Sequence, residues 1–295
     1  MTNQAATVTS DHLAIANTIS AFNKKHPETY TECVDILLDM LKTHFPTLTL
    51  ETSPVMANLG VWNADDLAFV LIEYSGWLNE TIHMFLDARI RIYWESVRKE
   101  IERNVGEEMG DLTGGVPHLE LMRQGYFKDL EIETDNTSQS PITQDFINKM
   151  RQVFKHKDNA FGAGALLAFE SVATEEFKVV NNLLRRRKVL LGSEIAKDSL
   201  TEIYIAGHVM PEGDGVHPED LHYEGMRHAI EPHINEQNIH KFIKGFFSVC
   251  ININIWWERL VVETFYQKMS REELSVTDVE TVDIDSLLKR KSAHS

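Results

Sequence analysis

Apolar residues recur at three- and four-residue steps along most of this 295-residue chain, and nothing else in the sequence narrows its fold as far. Val34, Leu37, Leu38 and Leu41 form one such stripe, and Leu67, Val70, Leu71 and Tyr74 a second. Ile90, Trp94, Val97, Ile101 and Val105 form a long third, and Phe242, Phe246, Val249 and Ile253 a late fourth. A 3.6-residue repeat puts such positions on one helix face, whereas a strand needs strict alternation. The one alternating stretch, Ile251 to Ile255 (I-N-I-N-I), has no turn residue on either side and reads as helix. Breaks fall at Gly110 to Pro117, at the polar run Asp135 to Pro141, which reads as a surface loop, and at Pro211 to Pro218. No βαβ alternation, glycine-rich phosphate loop or fixed-period repeat occurs. The expectation is an all-α bundle of about seven to nine helices, forming a single domain over residues 1–269. Residues 270–295 are charged and poorly periodic and read as a loosely ordered tail.

Charge and cysteine content then exclude several classes. Lys plus Arg total 29 against 45 Asp plus Glu, a formal net charge of −16, which repels phosphate backbones and anionic lipid. Nucleic acid and a polybasic membrane contact are therefore not expected partners. Two cysteines, Cys33 and Cys250, are too few for a zinc–thiolate site or a disulfide framework. Residues 1–20 lack the basic start and apolar core of a signal peptide, and Gly245 to Trp257 is too short and polar to span a bilayer. The expected compartment is the cytoplasm.

The chemistry lies in the charged residues that fall on apolar faces. Extending the third stripe beyond Val105 reaches Glu108, which should point inward at the end of its helix; His118 follows after a glycine-rich turn. Glu170 sits in A-L-L-A-F-E-S-V-A, apolar almost all round, while Glu176 is a weaker candidate because Glu175 beside it suggests a solvated face. In the segment Tyr204 to His222, His208 and Glu212 stand at i and i+4 on one helix face. His217 precedes Pro218-Glu219-Asp220, a helix-start pattern, and so occupies an N-cap position. Unpaired burial of a carboxylate costs several kcal/mol on the order of the ion-desolvation penalty, so each buried acid demands a proton, a base or a metal. Glu108, His118, Glu170, His208, Glu212 and His217 together make three acids and three imidazoles, a set suited to a pair of iron or manganese ions.

Blander readings compete at each position. Glu108 could pair with Arg89, Arg91 or Arg98, and His118 alone reads as a satisfied core or loop histidine. His222, His228, His233 and His240 read as surface groups or as supports for a ligand. Arg185-Arg186-Arg187-Lys188 reads as a solvated helix face, and Trp256-Trp257 as core plus interface.

The strings N-V-G-E-E-M-G and P-H-L-E-L-M (Asn104 to Met122), A-F-E-S-V-A, and H-V-M-P-E-G-D-G-V-H, in that order, resemble the haem-oxygenase-like di-metal oxidases and oxygenases. These are helical relatives of thiaminase II and of the pyrroloquinoline-quinone synthase-like proteins. The resemblance spans roughly Asp66 to Ile255. It implies a haem-oxygenase-like bundle of about seven core helices, here with extra N-terminal helices, and often a homodimer. It places Glu108 and His118 as the acid–histidine pair, Glu170 as the central acid, and His208, Glu212 and His217 as the last group. Some members take a further glutamate from an earlier helix, a place that Glu73 or Glu80 could fill. The last histidine usually follows its acid by three or four residues; here it follows Glu212 by five and Asp214 by three, so Asp214 is an alternate ligand, and the spacing to His208 keeps Glu176 in play.

The resemblance implies a non-haem di-iron oxygenase or oxidase holding two Fe, with Mn as an alternative and O2 as co-substrate. Its expected work is oxidation of a small amino-acid-like or fatty-acid-like molecule by N-oxygenation, C–C cleavage or a related step, with an external electron donor where the balance requires one. A substrate carboxylate would need a cation, for which Arg89 and Arg91 are the positional candidates. Two other readings stay open. One is a metal-free, thiaminase-like enzyme or binding protein on the same fold. The other is a ferritin-like di-iron bundle built on the E-x-x-H strings Glu80 to His83 and Glu219 to His222.

Overall fold

A computed structural model describes residues 15–25, 27, 29–135, 137–209 and 218–270, and every long regular element among them is an α-helix. In chain order these are α1 (Tyr30–His44), α2 (Ala64–Arg91), α3 (Glu95–Glu108), α4 (His118–Leu130), α5 (Pro141–Phe154), α6 (Asn159–Leu190), α7 (Leu200–Val209), α8 (Pro218–Ile230) and α9 (Ile239–Ser270). Shorter helical turns fill the α1–α2 connection. The all-α expectation holds, and I-N-I-N-I lies inside α9. Helix starts follow local chemistry. Thr29 with Glu32, and Asn63 with Asp66, form capping boxes that satisfy the first free N–H groups of α1 and α2. Pro141 and Pro218 each open a helix, where a missing N–H costs nothing. No helix among the described residues is long and apolar enough to cross a membrane.

The centre of the bundle is α6, buried on every side from Ala160 to Ala168. Its partner α9 runs against it with the backbones in contact. A Cβ added at Gly164 would lie 1.9 Å from the Phe242 carbonyl oxygen, and one added at Gly245 would lie 1.9 Å from that of Phe161. Only glycine permits so close an approach. Around this pair, α2 and α5 pack on one side, α8 closes over another part of α6, and α3 packs against α8 and α2. Helix α4 lies mainly on α7. Phe242, Phe246, Val249 and Ile253 are all buried, as their stripe requires.

Two expectations need correction. The third stripe does not begin at Ile90, which is 66 % exposed. Helix α2 ends at Arg91, residues 92–94 are not helical, and Trp94 is the N-cap of α3, stacked on His233 with ring centroids 4.7 Å apart. The inward face of α3 therefore starts at Val97 and continues through Ile101 and Asn104. Nor is Arg187 on a solvated face. It is 5 % exposed and donates to the carbonyls of Leu130 (2.8 Å), Glu131 (3.1 Å) and Ala64, fastening the end of α4 and the start of α2 to α6. The Leu130 and Glu131 carbonyls close the C-terminus of α4 and carry its partial negative charge, which suits a guanidinium.

Between α3 and α4 the chain reverses through Gly110, Gly114 and Gly115, all at positive φ. At Gly110 (φ 106°) a Cβ would also meet the Val116 backbone nitrogen at 2.7 Å. This turn returns the chain so that His118, the first residue of α4, faces the end of α3. Residues 210–217 and 271–295, which include Glu212, Asp214, His217 and the predicted tail, lie outside the described residues.

Gly164→Ala tests the close approach of α6 and α9. Intrinsic helix propensity alone favours alanine by about 1 kcal/mol, whereas a methyl group inside contact distance of a backbone carbonyl forces the helices apart at a cost of about 3 kcal/mol. Thermal unfolding should shift down by about 3 °C for a chain of this length; an unchanged or raised midpoint would show that the two helices yield freely.

Candidate metal centre

The end of α3, the start of α4 and the end of α7 meet at one point. Glu108, His118 and His208 each offer a ligand atom there, all within 4.8 Å of one another. His118 Nδ1 lies 3.5 Å from Glu108 Oε2, and His208 Nε2 lies 3.9 Å from Glu108 Oε1. Both histidines are buried, and Glu108 keeps 25 % of its side-chain surface, which opens onto an internal chamber. Burial alone would raise the Glu108 carboxyl, but the two imidazoles reverse this and hold it well below the usual carboxylate range.

The hydrogen bonds of His208 make the case for a cation. Its Nδ1 is 2.7 Å from the Tyr204 carbonyl, so Nδ1 carries the proton and donates. In the neutral ring, Nε2 then points a lone pair at the Glu108 carboxylate, an unfavourable arrangement unless a proton or a metal ion stands between them. His118 adds a buried Nδ1 that has no hydrogen-bond partner. A histidine tied through one ring nitrogen to a carbonyl, with the other nitrogen facing an acid, is the usual support of a metal-binding imidazole.

A second acid–histidine pair lies beside the first. Glu170, on α6 and 2 % exposed, accepts from Asn104 Nδ2 at 2.7 Å and stands 3.9 Å from His222 Nδ1. His222 Nε2 donates to Glu107 Oε2 at 2.5 Å, and Glu107 is held in turn by Arg103 at 2.5 Å. The logic of His208 is repeated, with a carboxylate in place of the carbonyl. Burial pushes Glu170 up to about 7; the negative charge of Glu108 adds to the rise, and His222 and Asn104 oppose it. That Glu108 acts on Glu170 shows the two pairs sharing one electrostatic environment.

Of the other residues singled out from the sequence, several are engaged elsewhere. Glu73 accepts from the Ser140 backbone N–H (2.8 Å) and Oγ (2.9 Å), anchoring the start of α5. Glu80 pairs with Arg151 at 2.6 Å, and His83 is exposed, so the string Glu80 to His83 does not converge with Glu219 to His222. Arg89 pairs with Glu102 and Arg91 is exposed; neither lines the chamber. Glu176 is buried rather than solvated. It lines the chamber and accepts from Trp257 Nε1 at 2.9 Å, while Glu175 beside it binds Lys178 and the Leu50 N–H. His222, Glu107 and Asn104 are the residues that the stripe reasoning missed. Asn104 sits one turn before Glu108 on the same inward face, a signal open to that reasoning, and His222 closes the second E-x-x-H string.

The chamber holds about 640 Å³ of empty space counted out to its mouth. Acids and imidazoles lie among walls that include Leu78, Phe85, Phe169 and Phe177. Glu176, like Glu170, is pushed up to about 7 by burial, which outweighs its indole partners. A buried acid with a raised folded-state pKa contributes full stability below its unfolded value and loses it as pH rises through the folded value. The metal-free protein should therefore lose stability between about pH 4.5 and pH 7, by on the order of 3 kcal/mol for Glu176. Glu176→Gln cannot ionise, so its melting temperature should fall less than that of the wild type between pH 5 and pH 8. Parallel pH curves for the two proteins would contradict the raised value.

Comparison with known proteins places the chain in a family described as a domain of unknown function. The chain resembles a CADD-like protein of unknown function from Nostoc punctiforme PCC 73102, solved at 1.35 Å, with a TM-score of 0.71 and 21 % identity over 81 % of this chain and 97 % of that one. A 2.00 Å structure of a CADD-like protein from the same organism gives a TM-score of 0.72 and 22 % identity over 80 % and 98 % of the two chains. At this identity the likeness is one of fold. No curated protein matches the chain. A family model described as "Domain of Unknown Function with solved-structure structure (DUF3865)" matches residues 32–263, and the chain belongs to that family.

Proposed function

We propose that the chain is a non-haem di-iron oxidase or oxygenase acting on a small molecule held in the chamber. The observation that carries this reading is the duplication of one device: two acids, Glu108 and Glu170, each face an imidazole whose other ring nitrogen is already committed as a donor. Glu108, His118 and His208 would hold one ion, and Glu170 with His222 the other. Residues 210–217, which contain Glu212, Asp214 and His217, lead directly into α8 and remain candidates to complete the second. An oxygen- and nitrogen-donor set without thiolate suits iron or manganese rather than an iron–sulfur cluster. A ferrous pair bound there would supply the electrons that reduce dioxygen.

The protein's own residues then have defined tasks. Tyr204 O and Glu107 fix the two histidines in the tautomer that turns an unprotonated ring nitrogen towards Glu108 and Glu170. Asn104 orients Glu170. Phe85, Phe169 and Phe177 exclude water from the chamber, and Phe177 also stacks on His208 at 4.1 Å and limits its rotation.

Anaerobic titration with ferrous iron tests the reading. Uptake of about two irons per chain is expected, followed by an optical transient when oxygen is admitted. His208→Ala should remove one half of the site and His222→Ala the other, each binding at least one iron fewer while melting within a few degrees of the wild type. Retained iron content in both variants would refute the ligand assignment. Absence of iron uptake by the wild type would return Glu170 and Glu176 to acid–base roles in a metal-free enzyme.

A further inference from the structure

The ligand assignment leaves one chamber carboxyl without a task. Glu176 lies on α6 six residues beyond Glu170, so the helix rise sets its Cα about 9 Å further along the axis. It is 7 % exposed, and its described partners are two indoles: Trp257 on α9, whose Nε1 donates at 2.9 Å, and Trp77 on α2, whose N–H also acts on it. An ionised carboxylate has about four acceptor positions, and two indoles leave about half of them open. No Lys or Arg lines the chamber among the described residues, and residues 209–220 contain neither. Glu176 thus faces the chamber as an acceptor without a cation.

We propose that the chamber selects a substrate bearing an amine, with Glu176 receiving its N–H groups while the reacting carbon lies towards Glu108 and Glu170; this deepens, and rests on, the di-metal reading of the same chamber. A buried acceptor with unfilled positions is costly until a donor arrives, and a charged donor gives the stronger bond. An arriving ammonium ion draws Glu176 into its ionised form, whereas a substrate carboxylate would have to share the site with that acid and finds no guanidinium, since Arg89 is paired with Glu102 and Arg91 points to solvent. The walls, Tyr74, Leu78 and Phe169 among them, then require an apolar body between the amine and the reacting carbon. Tyr74 also stacks on Trp257 at 6.2 Å, so an occupant at Glu176 adjoins a fluorescent pair.

Binding of hexylamine, hexanol and hexanoate by the full chain separates these chemistries. It is read by calorimetry and tryptophan fluorescence, in the metal-free protein and in protein loaded with zinc, which performs no redox step. Hexylamine should bind at least tenfold more tightly than either analogue in both states. Glu176→Gln, whose amide oxygen can still accept from Trp257, should abolish that preference while melting within a few degrees of the wild type. Equal or tighter binding of hexanoate, a preference that survives in Glu176→Gln, or no hexylamine binding at millimolar concentration would each overturn the proposal. Failure of the metal assignment is a separate result: zinc would not bind at Glu108 and His208, while the Glu176-dependent preference persisted in the metal-free protein.

Discussion

The close contact of α6 and α9 at Gly164 and Gly245 is the constraint on which the rest of the molecule depends. With both backbones touching, α6 cannot lie on a surface, and its whole first half must be apolar or small, as A-F-G-A-G-A-L-L-A is. Polar side chains on the inward face further along the same helix are carried into the core with it. Glu170 and Glu176 are such side chains, and Arg187 is a third, near the end of the helix. The central helix therefore forces three ionisable groups into the interior, and neighbouring elements exist in part to satisfy them. Arg187 takes carbonyls from α2 and the end of α4, Glu176 takes an indole from α9, and Glu170 takes Asn104 from α3 and faces His222 from α8.

Satisfaction is unequal, and the inequality separates structural from functional burial. Arg187 has donors matched to three carbonyls, two of them at the C-terminus of α4 where the helix dipole favours a cation. Glu170 faces His222 at 3.9 Å and Glu108 faces His208 at 3.9 Å and His118 at 3.5 Å, none a well-formed hydrogen bond, and neither acid has a lysine or arginine ion pair among the described residues. A fold optimised only for stability would close that distance or replace the acids by apolar residues, since buried ionic groups often cost more than they return. Gaps between donors on four different helices are what a bound cation fills.

The sequence carried part of this openly. Glu170 was legible because its helix is apolar all round, so its burial needed no knowledge of neighbouring elements. Glu108 was legible because Val97 and Ile101 set the phase of α3, even though Ile90 lies on a separate helix. His118 followed from the glycines that turn the chain back. What escaped was burial created by tertiary contact alone. Glu107 beside Glu108 reads as a solvated helix end until α8 lays His222 across it. Glu176 beside Glu175 reads as solvated until Trp257 covers it. Arg187 inside R-R-R-K reads as one more surface charge until helix ends arrive at its donors. A doublet or run of like charges conceals its buried member because periodicity reports the face of a helix, not which neighbour lies against it.

The two histidine tethers also differ in kind, which makes the halves of the site chemically unequal. His208 donates to a neutral carbonyl on its own helix, a contact fixed as soon as α7 forms. His222 donates to Glu107, a carboxylate that Arg103 and the imidazole itself hold below the usual range against the opposing effect of burial. A carboxylate partner increases imidazole basicity more than a carbonyl does, so Nδ1 of His222 is the stronger electron donor of the two. It is also the more contingent one, because it depends on α8 docking against α3. That docking is secured by the Ser96 hydroxyl donating to the Ala229 carbonyl at 2.7 Å and by the Trp94–His233 stack just beyond the end of α8. The first half of the site thus belongs to helix ends positioned by a glycine turn, and the second to an interface between helices. A loss of packing between α3 and α8 would remove His222 from Glu170 while leaving Glu108, His118 and His208 together.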